Sequence, residues 1–179
     1  EKNCLTEQYV YLSLTSNLKV GVTRSSQIPT RWIDQGASQA LILAKTPNRY
    51  YAGLIEVELK QYVSDKTAWQ RMLKNEVKEN VNLVNEKNKL ANELPLKLKK
   101  YVTNDDKIVK INYPKKEYPT KIKSLSLDKI TIESSKHIDT IYGSIIKKLT
   151  GIKGQYLYLD NEYVFNIRKH QGYSVTISI

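Results

Sequence analysis

The sequence predicts an α+β protein: a small antiparallel three-stranded sheet flanked by helices, followed by a small β-rich module. Three observations carry that reading. Two strictly alternating runs, QYVYLSL at 8–14 and LKVGVT at 18–23, flank the polar loop Thr15-Ser16-Asn17. From Arg49 onward apolar residues recur at helical spacing. In the last third of the chain, short apolar runs are punctuated by Gly143, Gly151, Gly154 and Gly172 and by the turn pair Asp160-Asn161, a pattern that suits short strands.

The first two runs form a hairpin whose register follows from its apolar residues. With Leu14 opposite Leu18, the side chains of Val10, Leu12, Leu14, Leu18, Val20 and Val22 share one wholly apolar face. The other face then carries Tyr9, Tyr11, Ser13, Lys19, Gly21 and Thr23, with Tyr11 opposite Gly21 and Ser13 opposite Lys19. A slip of one residue would mix the faces, so the register is well specified. One face is expected to be buried and the other to be equipped for chemistry.

The elements that follow are read in chain order. Ser26 is expected to cap a short helix over 28–35, with Pro29 in its first turn and Gly36 as its stop. QALILAK at 39–45 suits a third, central strand. Residues 49–63 read as a helix with Ala52, Ile55, Leu59, Tyr62 and Val63 on its apolar stripe. A second helix is expected from Lys66 to about Asn92, packed through Trp69, Met72, Leu73, Val77 and Val84 and ended by Pro95. From Leu96 to Lys123 the chain is basic and broken by Pro114 and Pro119, which reads as a surface linker with strand edges. Further strands are expected at 129–133, 155–159, 163–167 and 173–179. The domains are accordingly 5–95, an α/β unit, and 96–179, a basic β-rich module.

Composition narrows the function. Of 179 residues, 29 are Lys or Arg and 18 Asp or Glu, a formal charge of +11. Most of that excess falls after residue 80. It favours a polyanionic partner, DNA or RNA, because cations displace the counterions condensed on phosphates. No apolar run reaches the ~20 residues of a spanning helix, and no secretory signal pattern is found. A cytoplasmic protein with no membrane association is expected. One cysteine, Cys4, excludes an internal disulfide. His137 and His170 show no metal-ligand spacing and read as surface or turn residues.

The polar hairpin face offers Tyr9, Tyr11 and Lys19, and the next segment brings Arg24 or Arg31 to the same edge. Glu56 and Glu58 both lie on the rim of the helix stripe, with a lean towards Glu56. A Tyr–Lys–Arg–Glu cluster suits phosphodiester chemistry: carboxylate for a divalent metal, cations for phosphorane charge, a phenol for proton relay. The same residues are equally at home on a solvated sheet face and a helix rim. In the second module Arg168, Lys169 and His170 stand beside Tyr163, Phe165 and Tyr173, mixing cations and aromatics as single-strand binders do.

The spacing Tyr9-Val10-Tyr11, Lys19-Val20-Gly21-x-Thr23, Ile28-x-x-Arg31 and Glu56-x-x-Leu59 resembles the GIY-YIG nuclease superfamily, in its Y-x-Y…K-V-G-x-T…R…E branch. The longer strings KVGVTRSSQIPTRWIDQGA, DKTAWQRML and GIKGQYL…NIRKHQGY resemble a bacterial family without assigned function related to that superfamily. The resemblance implies a Mg²⁺- or Mn²⁺-dependent nuclease. It implies Tyr11 as general base or its relay, Lys19 at the second-motif position, and Gly21 as the point of close approach. Arg31 would sit on the scissile phosphate and Glu56 on the metal. Tyr9, Gly21, Thr23, Arg24, Arg168 and Lys169 are the candidate substrate contacts. Three positions depart from the family pattern. Gln35 stands where a histidine is frequent, Ala68-Trp69 where an asparagine is frequent, and the interval from Gly21 to Arg31 is slightly long. Glu1 is not an initiator methionine, and the resemblance implies an upstream cysteine-rich segment ending in Cys4. Zinc would enter only through that segment. An inactive DNA- or RNA-binding module on the same scaffold is the alternative, and a protein-interaction domain is a third reading.

Overall fold

The computed structural model describes residues 5–63, 68–77, 81–115, 117–126 and 147–172. The strands expected at 129–133 and 173–179, together with Cys4 and His137, lie outside the described residues. The protein is a mixed α+β chain with antiparallel sheets, a few helices and no closed barrel. It divides into two compact units, Glu1–Asn112 and Tyr113–Ile179.

The first unit is built on β1 (Gln8–Leu14), β2 (Leu18–Arg24), β3 (Gln39–Thr46) and β4 (Val109–Lys110), in the sheet order β2-β1-β3-β4. The hairpin has the register that its alternation dictates, running from Gln8 opposite Arg24 to Leu14 opposite Leu18. Val10, Leu12, Leu14 and Val20 are buried in the main core, with Leu18 and Val22 packed against it. Between Val10 and Tyr11 the pairing of β1 with β3 jumps from Ala44 to Ile42. The extra residue of this bulge puts Leu41, Leu43 and Ala44 all in the core, which strict alternation forbids.

The sheet has four strands rather than three. Residues 96–112 belong to the first unit and not to a linker, so the boundary lies at 112/113 instead of Pro95. The reason is backbone pairing. Lys45 N–H donates to Tyr101 O, Thr103 N–H to Leu43 O and Ile111 N–H to Ser38 O. Leu98 is buried as well.

Five helices accompany the sheet: α1 (Thr30–Asp34), α2 (Arg49–Leu59), α3 (Trp69–Leu73), α4 (Leu83–Glu93) and α5 (Leu96–Lys99). The long helix expected from Lys66 is two helices. Asn75 takes a left-handed φ of 58° just after α3. Asn82 then starts α4 afresh, its side chain accepting from Val84 N at 3.0 Å and Asn85 N at 3.1 Å. Ser26 does not cap α1; it lies in the 3-10 turn Ser25–Gln27, and Pro29 occupies the cap position. Gly36 ends α1 as expected, at φ +71°. α2 is shorter than expected, its C-cap being Lys60, and it packs through Ala52, Ile55 and Leu59. Asn48 caps its start by accepting from Tyr51 N.

The second unit contains β5 (Lys123–Leu125), β6 (Leu149–Lys153), β7 (Tyr156–Leu159) and β8 (Tyr163–Asn166), ordered β5-β8-β7-β6. Asp160 and Asn161 both adopt positive φ and turn β7 into β8. One sheet face buries Tyr156, Tyr158, Val164 and, unexpectedly, the side chain of Lys153. The Lys153 amine lies 4.7 Å from the Tyr118 ring centre and 5.6 Å from that of Tyr113. The Lys115 stem crosses Gly151, and its amine lies 4.6 Å from the Tyr158 ring centre. Aromatic faces offset part of the cost of desolvating an ammonium.

Burial pushes Lys153 from its ordinary 10.5 down to about 8. Between those values the unfolded chain holds a proton that the folded unit lacks, so stability rises with pH from about 8 to 10.5. Tyr158 acts in the opposite sense. Burial raises its phenol, so above its ordinary 10.0 the unfolded chain loses a proton that the folded unit keeps. The denaturation midpoint of the full chain is therefore expected to climb between roughly pH 8 and 10. Lys153→Met should remove that climb, and an equal climb in the variant would contradict the burial of this amine.

Candidate functional site

The face of the hairpin opposite the main core is itself covered. Tyr11, Trp32, Ala37 and Ala40 form a second buried cluster there, with Ile28, Ile42, Val109 and Ile111 packed against it. The expectation of an open, chemically equipped face is corrected accordingly: Tyr11 is 0% exposed, and Lys19, Gly21 and Thr23 are buried as well. α1 supplies the cover, because Trp32 presents its ring to Tyr11 edge-on at 6.0 Å.

Tyr11 is the centre of the site. Its ring lies across Gly21, the residue opposite it on β2. A Cβ at Gly21 would stand 2.6 Å from Tyr11 Oη and 2.7 Å from Cζ, closer than any real contact. The Tyr11 hydroxyl donates to Gln35 Oε1 at 3.0 Å. Burial raises the phenol above its ordinary value of 10.0. The Arg31 guanidinium opposes that rise through its charge and a hydrogen bond, whereas the Glu56 carboxylate adds to it. Arg31 from α1 and Glu56 from α2 thus act on one hydroxyl, although they are 25 residues apart in sequence.

The other candidates divide by position. Lys19 is two residues before Gly21 on the same strand face and faces Ser13 across the pair. Thr23 donates to Arg24 O at 3.4 Å. Tyr9 is half-buried, with the Lys45 amine 5.5 Å from its ring centre, and its hydrogen bond to Glu7 raises its phenol. Arg24 has the strand parity of Val20 and Val22, so it starts from the sheet face opposite Tyr11. Of the two arginines considered, Arg31 is the one found at Tyr11. Glu56 has a side chain 19% exposed and lies 3.9 Å from Arg49 Nη2. Glu58 is one strand of chain further along α2, on the other rim. Arg168 and Lys169 belong to the second unit, where Lys169 Nζ donates to Ser126 Oγ at 3.4 Å. His170 is buried against Phe165, its ring nitrogens bonded to Ser126 Oγ and Asn166 O, which suits the turn role expected of it.

Sequence reasoning missed two members of the site, Trp32 and Gln35. A signal for Gln35 was present, since it follows Arg31 by four residues and so shares its helix face. Gly36 seats this end of α1, because a Cβ there would meet Met72 Sδ of α3 at 2.5 Å. Among the described residues no group of three or more His, Cys, Asp and Glu gathers as a metal cage. Glu56 is a lone carboxylate, and that fits Mg²⁺ better than Ca²⁺ or Zn²⁺. Mg²⁺ retains waters and is commonly held by one or two carboxylates plus substrate phosphate.

In comparisons with known proteins, the model of a family described as a protein of unknown function (DUF2797) matches residues 1–175. No curated protein and no solved structure matches the chain.

The fit of Tyr11 over Gly21 has a direct consequence. Gly21→Ala is expected to lower stability by ~1–3 kcal/mol in urea unfolding, as overpacking does. Set in a Tyr11→Leu background, the same alanine should cost much less. Equal costs in both backgrounds would place the clash elsewhere.

Proposed function

We propose that this chain, which belongs to the DUF2797 family, is a metal-dependent phosphodiesterase of GIY-YIG type acting on DNA or RNA. The observation that carries the reading is the convergence of Arg31 and Glu56 on the Tyr11 hydroxyl beside Gly21. Those four residues are the ones that the motif spacing selects, and they come from four different elements. The central strand pair with its flanking helices is consistent with the nuclease scaffold, the fourth strand being an addition at the sheet edge.

In this reading Arg31 and Lys19 hold the scissile phosphate, as a donor-only guanidinium and an ammonium are suited to do. Bound at Glu56, Mg²⁺ or Mn²⁺ would supply Lewis-acid stabilisation of the leaving oxygen. Tyr11 takes up the proton of the attacking water. It must be ionised to do so, and burial keeps it largely protonated at neutral pH. Cleavage should therefore accelerate as pH rises through neutrality. The charge excess of +11 supports nucleic acid as the substrate.

The complete burial of Tyr11 favours a second reading, a nucleic-acid-binding module without turnover. One assay separates the two. Labelled single- and double-stranded DNA and RNA are incubated with Mg²⁺, Mn²⁺ or EDTA. For the nuclease, Glu56→Gln and Tyr11→Phe should each lower metal-dependent cleavage by ~100-fold or more while preserving the fold. For the binder, no substrate is cut and Glu56→Gln leaves affinity intact. Affinity then falls with salt by ~0.9 log unit per log unit for each phosphate neutralised on a duplex.

A further inference from the structure

Two residues of α1 reach the Tyr11 hydroxyl, and they differ in what they can offer it. Arg31 is a donor only: it can give a hydrogen bond to the phenol oxygen but can never receive the phenol proton. Gln35 receives that proton, its Oε1 accepting at 3.0 Å. Its terminal amide is planar and carries an acceptor on one side and donors on the other. The torsion that exchanges them is broad and roughly two-fold. Turned over, the same amide donates to a phenolate. An ionised carboxylate at this position has no donor to turn, and an aliphatic side chain offers neither group. The position is also held firmly. Gln35 caps α1, Gly36 follows in a left-handed conformation under Met72, and Trp32 packs on the Tyr11 ring from the same helix.

We propose that Gln35 is a positioning residue that partners the Tyr11 hydroxyl in both of its protonation states, accepting from the phenol and donating to the phenolate. The proposal rests on the nuclease reading for its purpose, because a proton relay must visit both states. Its physical content concerns Tyr11 alone. The charged groups acting on that hydroxyl are Arg31 from α1 and Glu56 from α2, of opposite sign. Neither changes when Gln35 is replaced.

The test is an NMR titration of the full chain labelled at tyrosine Cζ, with the Tyr11 line assigned by its loss in Tyr11→Phe. Wild type, Gln35→Glu and Gln35→Leu are compared, alongside the pH profile of cleavage. Gln35→Glu should move the Tyr11 midpoint upward by on the order of one pH unit or more, through lost donation and added negative charge. Gln35→Leu should move it upward by less, and the alkaline rise in cleavage should shift with the midpoint. If both variants are folded and titrate Tyr11 within a few tenths of a unit of wild type, the proposal is wrong. If the midpoints move as expected but wild type cuts nothing, Gln35 governs Tyr11 and it is the nuclease reading that fails.

Discussion

The contact on which the candidate site depends is the passage of the Tyr11 ring over Gly21. An aromatic ring can lie flat across the neighbouring strand only where that strand has no side chain at the crossing point, and Gly21 is the one such residue in β2. The register decides whether the two meet. That register is set by the other face of the hairpin, where Val10, Leu12 and Val20 are sealed in the main core. A one-residue slip would put a valine under the ring and polar groups into the core. Hydrophobic burial on one side of the sheet therefore positions the phenol on the other.

What lies above the ring is held less locally. α1 has five residues, well below the ~12–15 at which an isolated helix begins to persist in water. It stands because neighbours hold both its ends and its face. Trp32 packs on Tyr11, Gly36 fits under Met72 of α3, and Ser38 N–H donates to Leu14 O at the end of β1. Arg31 and Gln35 consequently owe their positions to residues from three separate elements. A change at Met72, which touches none of the candidate catalytic groups, is coupled through Gly36 to the amide on the Tyr11 hydroxyl.

The hairpin was legible in the sequence because both of its faces alternate and each face has a single character. The tyrosine, glycine, arginine and glutamate were legible through their spacing, although nothing local showed that Trp32 would cover them. Helical periodicity failed between Lys66 and Asn92 for a specific reason. It counts apolar residues, and it does not register the left-handed Asn75 or the fresh cap at Asn82. β4 has two residues, too few for any periodicity to register. Buried lysines were the least legible feature. Lys87 is buried by donating to Asp106 Oδ1 and Asp105 O, and Lys153 by the rings of Tyr113 and Tyr118. Both are partners distant in sequence, and a charge count assigns such residues to solvent.

The electrostatics of Tyr11 couple its proton to the two ligands that the nuclease reading requires, and they do so with opposite signs. Arg31 lowers the phenol and Glu56 raises it, while burial sets the overall upward direction. A phosphate that engages Arg31 brings negative charge towards the hydroxyl and pulls the guanidinium's bonds away from it, so it stabilises the phenol. A divalent cation on Glu56 cancels the carboxylate's influence and stabilises the phenolate. By linkage, cation and phenolate favour one another, and phosphate and phenolate oppose one another. A substrate bound without the cation would thus lock Tyr11 in its neutral form, and the pair together would restore the balance. A buried tyrosine is a poor base in isolation. Between a guanidinium and a carboxylate it becomes a group whose protonation reports which of the two is occupied.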